Sequence, residues 1–285
     1  MSDIVEKNRA HFNDAAATYN SKFEKTIEQL IKEIQQRRDW IGLDWASDSD
    51  SESGASSGDE AEKSSRPVKT VRVLDYACGT GLVSRALAPY VTQCVGIDIS
   101  ENMVQAYNSS AANQGLPESE MHAIVGDLLG LSVDDNVVLS SPDLFGFDLA
   151  VVGLGFHHFE QPALAAQRLA QRLRKGGVLL IIDFLPHEHF FQGHDHGHGH
   201  GHGHGHGHGH GHAEKGEGDD DKVKNTVTHM GFSEEQVRDM FEGAGVGEAF
   251  EYVVLGKGVV FVKKDAGDER KEMRRSVFMA RGVKV

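Results

Sequence analysis

Apolar positions along this chain recur at two periods. Short runs rich in Val, Ile, Leu and Ala at 71–75, 93–98, 121–125, 147–154 and 178–184 predict strands, with helical patterns after the first, second and fourth. The fourth connection carries the clearest helix. In "QPALAAQRLAQRLRKGG", Leu164, Ala165, Leu169 and Leu173 repeat on one face, and Gly176 and Gly177 after basic residues predict its end. Further on, "GFSEEQVRDMFEGAG" has Ser233 as N-cap with Gln236 three residues later, and Phe232 and Val237 stand in staple positions. The stretch "FEYVVLGKGVVFVKK" reads as two strands about a Gly-Lys-Gly turn, an antiparallel hairpin at a sheet edge. Near the start, Phe23, Ile27, Leu30, Ile31 and Ile34 predict an amphipathic helix packing on the main body, and a shorter helix covers "NRAHFNDAAATYN". Strands and helices in alternation, closed by a hairpin, predict an α/β fold: a Rossmann-like, mostly parallel sheet with an antiparallel edge.

Two stretches show neither period. "SDSDSESGASSGDEAEKSS" is serine, glycine and acid, and "HDHGHGHGHGHGHGHGHGH" alternates histidine with mostly glycine; neither offers apolar surface to offset the entropy of ordering. The expected organisation is an N-terminal helical cap at 1–46, an acidic linker at 47–67, a core at 68–192, a His/Gly-rich insertion at 193–224, the remainder of the core at 225–265, and a basic tail at 266–285. In that tail Met273, Val277 and Phe278 are interspersed among the charges, and a short helix docking on the body or on a partner is expected. The 285 residues include 43 acidic and 29 basic ones, a formal net charge of -14, which disfavours general attraction to nucleic acid or anionic membrane. The two cysteines, Cys78 and Cys94, have no CxxC spacing, no apolar run approaches a membrane span, and the N-terminus is too polar for a secretory signal. A soluble, intracellular, cytoplasmic protein is expected, with the nucleus as the other compartment.

The candidate chemistry concentrates at "VRVLDYACGTGLVSRAL", where an apolar strand ends in an acid, a two-glycine turn follows, and a helix begins. In an open α/β sheet this first turn is the usual anchor of a ligand. Gly79 and Gly81 permit a tight turn and close backbone approach. The third glycine of G-x-G-x-x-G is missing, and Asp75 stands where a pyrophosphate would be repelled, so a cationic ligand fits better. Asp98 ends the second strand, near the spacing at which an acid takes ribose hydroxyls. At the end of the third strand, Gly126 and Asp127 offer a carboxylate to an adenine amino group. Ribose, adenine and a positive tail together describe S-adenosyl-L-methionine.

"VLDYACGTG", "VGIDIS", "VGDLL", "FDLAVVGLGFHHF" and "LRKGGVLLIIDF" resemble the successive motifs of class I S-adenosylmethionine-dependent methyltransferases. "HFNDAAATYN" is similar to the N-terminal covering segment of the small-molecule enzymes related to those of quinone and biotin synthesis. The resemblance implies a seven-stranded sheet, with Asp75, Ala77, Cys78, Gly79 and Gly81 around the methionine part. It implies Asp98, Ile99 and Met103 at the ribose and adenine, Asp127 and Leu128 at the adenine, and Leu154 at the methionine end. By the same likeness, Phe12 and Tyr19 lie over the cofactor.

Methyl transfer from a sulfonium needs in-line contact of donor and acceptor, and a base helps where the acceptor has a proton to lose. His157 and His158, just after the fourth strand, are the candidate bases; Asp183, His187 and His189 are weaker ones. Nucleic-acid enzymes of this family tend to carry Asn or Asp, then Pro-Pro and an aromatic after that strand, whereas this chain has "GLGFHH", so no nucleic-acid substrate is expected. The expected function is methyl transfer to an O, N or C atom of a small organic acceptor. A protein methyltransferase and a non-catalytic cofactor-binding module are the alternatives. Neutral imidazoles suit zinc, nickel or copper, which makes His194, His196, His198 and His200 candidate weak ligands of a divalent metal. Ser47, Ser49, Ser56 and Ser57, each followed by an acid three residues on, resemble acidophilic kinase sites.

Overall fold

The computed structural model describes residues 2–46, 69–130, 136–187, 226–256, 258–264 and 270–285. The acidic linker with its serines, the His/Gly insertion with its candidate metal ligands, and His189 lie outside the described residues. Helices α1 (Asp3–Lys22), α2 (Glu24–Gln36) and α3 (Arg38–Ile41) come first. The alternating body follows: β1 (Arg72–Tyr76), α4 (Leu82–Leu87), β2 (Gln93–Asp98), α5 (Glu101–Asn113), β3 (Met121–Val125), β4 (Phe147–Gly153), α6 (Pro162–Arg172) and β5 (Leu173–Phe184). After the insertion come α7 (Glu234–Gly243), β6 (Glu248–Val254), β7 (Val259–Lys264), β8 (Arg270–Arg275) and β9 (Val277–Val283).

Seven strands form one sheet in the order β3-β2-β1-β4-β5-β9-β6. The first five are mutually parallel, and β9 runs antiparallel to both β5 and β6. The inner strands of the sheet are buried on both faces and divide their side chains between two cores. Val73, Val151 and Leu180 pack with Leu30, Ile34, Val83 and Leu87 of α2 and α4 on one side. Leu74, Val152 and Ile181 pack with Ala165, Leu169, Val237 and Phe241 of α6 and α7 on the other. Alternation along a strand thus reads as an unbroken apolar run, and each fully buried aliphatic contributes about 1.5–3 kcal/mol. The capping box forms as expected, with Gln236 N donating to Ser233 Oγ over 3.2 Å and Ser233 N to Gln236 Oε1 over 2.9 Å.

Four elements differ from expectation. The first helix is 20 residues long, not short. The helix expected to reach Gly176 stops at Arg172, because Leu173 already pairs with Phe147 as the start of β5. Gly176 and Gly177 serve an irregular strand entry: Gly176 has φ of 72°, and a Cβ on Gly177 would meet the Phe147 and Arg174 carbonyls at 2.9 Å. The two strands about Gly-Lys-Gly do not pair with each other. β6 pairs with β9, while β7 pairs with β8 in a separate two-stranded ribbon. Residues 277–283 of the expected tail are therefore part of the core, since β9 fills the slot between β5 and β6 and is buried from Val277 to Ala280.

Candidate functional site

The chain steps outward from β1 to β3 and then crosses back to β4, so the carboxyl ends of β1 and β4 flank the switch point, where open α/β sheets bind their ligands. Backbone strain collects there. Ala77 after β1 and Leu154 after β4 hold left-handed φ angles of 54° and 58°, uncommon for residues with a side chain. The two loops touch, since a Cβ on Gly155 would lie 2.9 Å from that of Ala77. Gly79 and Gly81 have φ of 52° and 87°. A Cβ on Gly79 would meet nothing within 4 Å, whereas one on Gly81 would press on the buried Tyr107 ring at 2.9 Å. One glycine faces open space and the other packs against the core.

Asp98 fixes this turn. Its Oδ2 accepts from Gly79 N at 2.8 Å and its Oδ1 from Ser100 N at 2.9 Å, which joins the glycine turn to the start of α5. Burial raises its pKa against these hydrogen bonds. Asp75 is fully buried and turned to α4, where Oδ2 accepts from Ser84 N at 3.1 Å and Ser84 Oγ at 2.8 Å. Burial pushes its pKa up to about 7. The Cys78 thiol is buried, stays protonated because burial raises its pKa well above the usual value, and occupies room left by Gly96. Ile99 is half-buried and Met103 buried, the latter with its N–H on Ser100 Oγ. Asp127 accepts from Leu129 N at 2.8 Å and from the Tyr76 hydroxyl at 3.2 Å, and that hydroxyl in turn accepts from Leu128 N.

Helix α1 lies across these ends. Asn13 Oδ1 accepts from Ser100 Oγ at 2.7 Å and from Asn102 N at 3.1 Å. Thr80 Oγ1 donates to Asn20 Oδ1 at 2.6 Å. Arg9 grips Glu101, whose pKa that contact lowers to about 2. Tyr19 stands within reach of the Asp98 charge, and burial together with that charge pushes its hydroxyl up to about 12. Phe12 packs edge-on against His158 at 5.2 Å, so it covers the histidine pair and not the glycine turn. Asn8 is buried beside it, its amide on the His158 carbonyl and its Oδ1 without a partner among the described residues.

His157 and His158 form a tight pair with ring centroids 4.1 Å apart. His157 Nδ1 lies 2.8 Å from Asp183 Oδ1, and its backbone N–H donates to Oδ2 of the same fully buried carboxylate. His158 Nδ1 lies 2.8 Å from the Thr226 carbonyl, which only accepts, so Nδ1 carries the proton and Nε2 the lone pair. Burial first, and then the neighbouring His157, lower the His158 pKa well below the usual 6.5. The chain returning from the insertion is seated on the pair, for Thr228 and His229 both donate backbone N–H to the His157 carbonyl. Beyond it, Phe184 touches the His157 ring at 5.1 Å and Phe261 of β7 at 5.6 Å. Phe261 meets Phe23, and Phe23 meets Tyr19, which brings the line of rings back to α1. The β7–β8 ribbon is held on α2 by Gln29, whose amide exchanges hydrogen bonds with Gly258 O at 2.8 Å and Val260 N at 3.2 Å.

A second cleft, of about 540 Å³, opens at the opposite end of the sheet. Lys69 pairs there with Asp44 and Arg174 with Asp148, while the Arg72 guanidinium donates to Gln93 Oε1 and to the Phe145 and Asp143 carbonyls. Among the described residues, no group of three or more His, Cys, Asp or Glu side chains could hold a metal, and no helix is long and apolar enough to cross a membrane.

Residues 74–181 match the family described as a methyltransferase domain, a span that contains the glycine turn, Asp98, Asp127 and the histidine pair. Over this span the chain is similar to methyltransferases. It is 28% identical to an uncharacterized methyltransferase of Schizosaccharomyces pombe over 210 residues, 68% of this chain and 70% of that protein. It is 28% identical to a demethylmenaquinone methyltransferase of Clavibacter sepedonicus over 118 residues, 41% of this chain and 43% of that one. A Thermotoga maritima crystal structure, described as an S-adenosylmethionine-dependent methyltransferase and possible histamine N-methyltransferase, superposes with TM-score 0.53 at 14% identity. It covers 97% of this chain and 99% of its own, and it shows the fold. Sequence reasoning missed Tyr76, Asn13, Asn20 and Thr226. Tyr76 stood inside the first motif as a signal; the others reach their partners only through long-range packing.

Proposed function

We propose that this protein transfers a methyl group from S-adenosyl-L-methionine to an O, N or C atom of a small organic acceptor. The observation that carries the reading is the turn at 77–81, left-handed at Ala77, Gly79 and Gly81, pinned to Asp98, and facing open space at the Gly79 position. Such a cradle suits a ligand whose body approaches backbone closely and whose hydroxyls reach Asp98. The residues fit S-adenosyl-L-methionine: Asp98 for the ribose, Asp127 and Leu128 for the adenine, Ala77 to Gly81 and Leu154 for the methionine part. That cosubstrate supplies an activated methyl on a sulfonium. Asp75 and Cys78 act one step back, holding α4 and filling space behind the turn.

The chain's own contribution is placement and proton removal. Helix α1 closes over the cradle and keeps water from it, and a water-poor site strengthens each polar contact inside. His158 stays neutral and keeps Nε2 free to accept a proton from an acceptor O–H or N–H. His157, clamped to Asp183, sets the position of the loop and of its neighbour. A relative named for demethylmenaquinone supports a small organic acceptor. Incubation with labelled methyl donor and a panel of small O–H and N–H acceptors tests the reading. Transfer that falls roughly 100-fold in His158→Gln with unchanged cofactor affinity is the expected result. Equal turnover in the variant would remove His158 from the chemistry, and transfer to no small molecule would remove the acceptor class.

A further inference from the structure

Arg275 ends β8 at the corner where the ribbon turns back into the main sheet. Its guanidinium lies over two rings, 5.3 Å from the Phe184 centroid and 5.9 Å from that of Phe261. Many other arginines of the chain face an acid: Arg9 faces Glu101, Arg174 Asp148, Arg238 Glu234, and Arg281 Glu251. Arg275 is half-buried, and among the described residues no carboxylate forms an ion pair with it. We propose that Arg275 is the anion-binding, specificity-determining residue of the acceptor site, and that the acceptor is a carboxylic acid with a flat, apolar body. The inference rests on the methyltransferase reading above and names the substrate class of that same site.

Three observations carry it. The first is position: Phe184, the last residue of β5, touches both the Arg275 guanidinium and the His157 ring, so the cation and the histidine pair share one aromatic neighbour. The second is rigidity. Leu185 N donates to Ser276 O at 3.0 Å, and a Cβ on Gly258 would lie 2.6 Å from the Arg275 carbonyl, so the backbone at this corner is held from two sides. The third is the unanswered charge. Burial lowers the guanidinium pKa, yet arginine keeps its proton in proteins, and a partly desolvated cation with no carboxylate partner among the described residues gains most from one that arrives with a ligand. The planar fork matches a carboxylate, and the half-buried Phe261 and His158 rings offer flat faces to the rest of the molecule.

The test uses the full chain saturated with S-adenosylhomocysteine, titrated with trans-cinnamate and with its neutral amide, cinnamamide. Wild type should bind the acid roughly 10- to 100-fold more tightly than the amide, the range of a charge-assisted hydrogen bond. That preference should vanish in Arg275→Gln and return in part in Arg275→Lys, while S-adenosylhomocysteine affinity and melting temperature stay unchanged in both. A preference that survives in Arg275→Gln, an amide that binds as well as the acid, or no binding of either probe to the loaded wild type would overturn the proposal. Failure to bind S-adenosylhomocysteine would instead overturn the cofactor reading beneath it.

Discussion

Gly79 and Gly81 sit two residues apart in one turn and answer to different demands. An alanine at Gly79 finds open space and bears only the left-handed backbone, about 1 kcal/mol, so Gly79→Ala should fold nearly as well as wild type. At Gly81 the same change adds overlap with the Tyr107 ring, and the loss should be roughly 2–4 kcal/mol. Urea unfolding of the two variants checks the order; equal losses would contradict the geometry. Asp75 sets a pH dependence. Its carboxyl holds its proton to about pH 7 in the fold, against the usual 3.8 of a free aspartate, so the native state binds the proton more tightly. That contribution is complete below about pH 4 and is lost as pH rises through 7. Asp75→Asn keeps an oxygen for Ser84 and has no such titration. Its stability relative to wild type should rise between pH 4 and 8 by on the order of 3–4 kcal/mol, read from unfolding midpoints across that range. His158 gives the opposite sign in turnover: because its pKa lies well below 6.5, methyl transfer should persist at pH 6 and fall only at lower pH. A rate already halved at pH 6.5 would contradict the neutral, buried imidazole.

Among the elements, α1 joins the site without belonging to the sheet. Asn13 alone ties it to Ser100 and Asn102, so Asn13→Ala should cost about 1 kcal/mol and speed cofactor dissociation several-fold in stopped-flow measurements. An unchanged dissociation rate would show that α1 does not close the site. The helix itself was legible in "NRAHFNDAAATYN", but its length was not, because its charged outer face carries little apolar period. The strand ends were read closely because they end in local signals: Asp98 closes "VGIDIS" and the glycines follow "VLDYAC". What escaped was pairing. Tyr76 and Asp127 are 51 residues apart, and Thr226 and His158 68 apart, so no window of sequence holds both partners. Gly177 misled for the same reason, since part of its crowding comes from the Phe147 carbonyl on another strand.

For the whole molecule, the end of the chain matters most. A basic segment with apolar residues interspersed looks like a tail, yet β9 hydrogen-bonds β5 and β6 on its two sides, and nothing local announces a strand completed by two distant neighbours. Removing residues 277–285 should therefore prevent folding outright, with loss of the cooperative unfolding transition; a truncated chain that still melts cooperatively would contradict this topology. The same closure brings β8 to a corner where Arg275 lies over the ring of Phe184 at the end of β5. The central claim is that the turn pinned by Asp98 holds S-adenosyl-L-methionine. Calorimetric titration of the purified chain with S-adenosyl-L-methionine and S-adenosylhomocysteine, wild type beside Asp98→Ala, tests it most directly. The account predicts micromolar binding of both by wild type and a loss of at least 100-fold in a folded Asp98→Ala. A folded wild type that binds neither, or an Asp98→Ala that binds both as well as wild type, would contradict it.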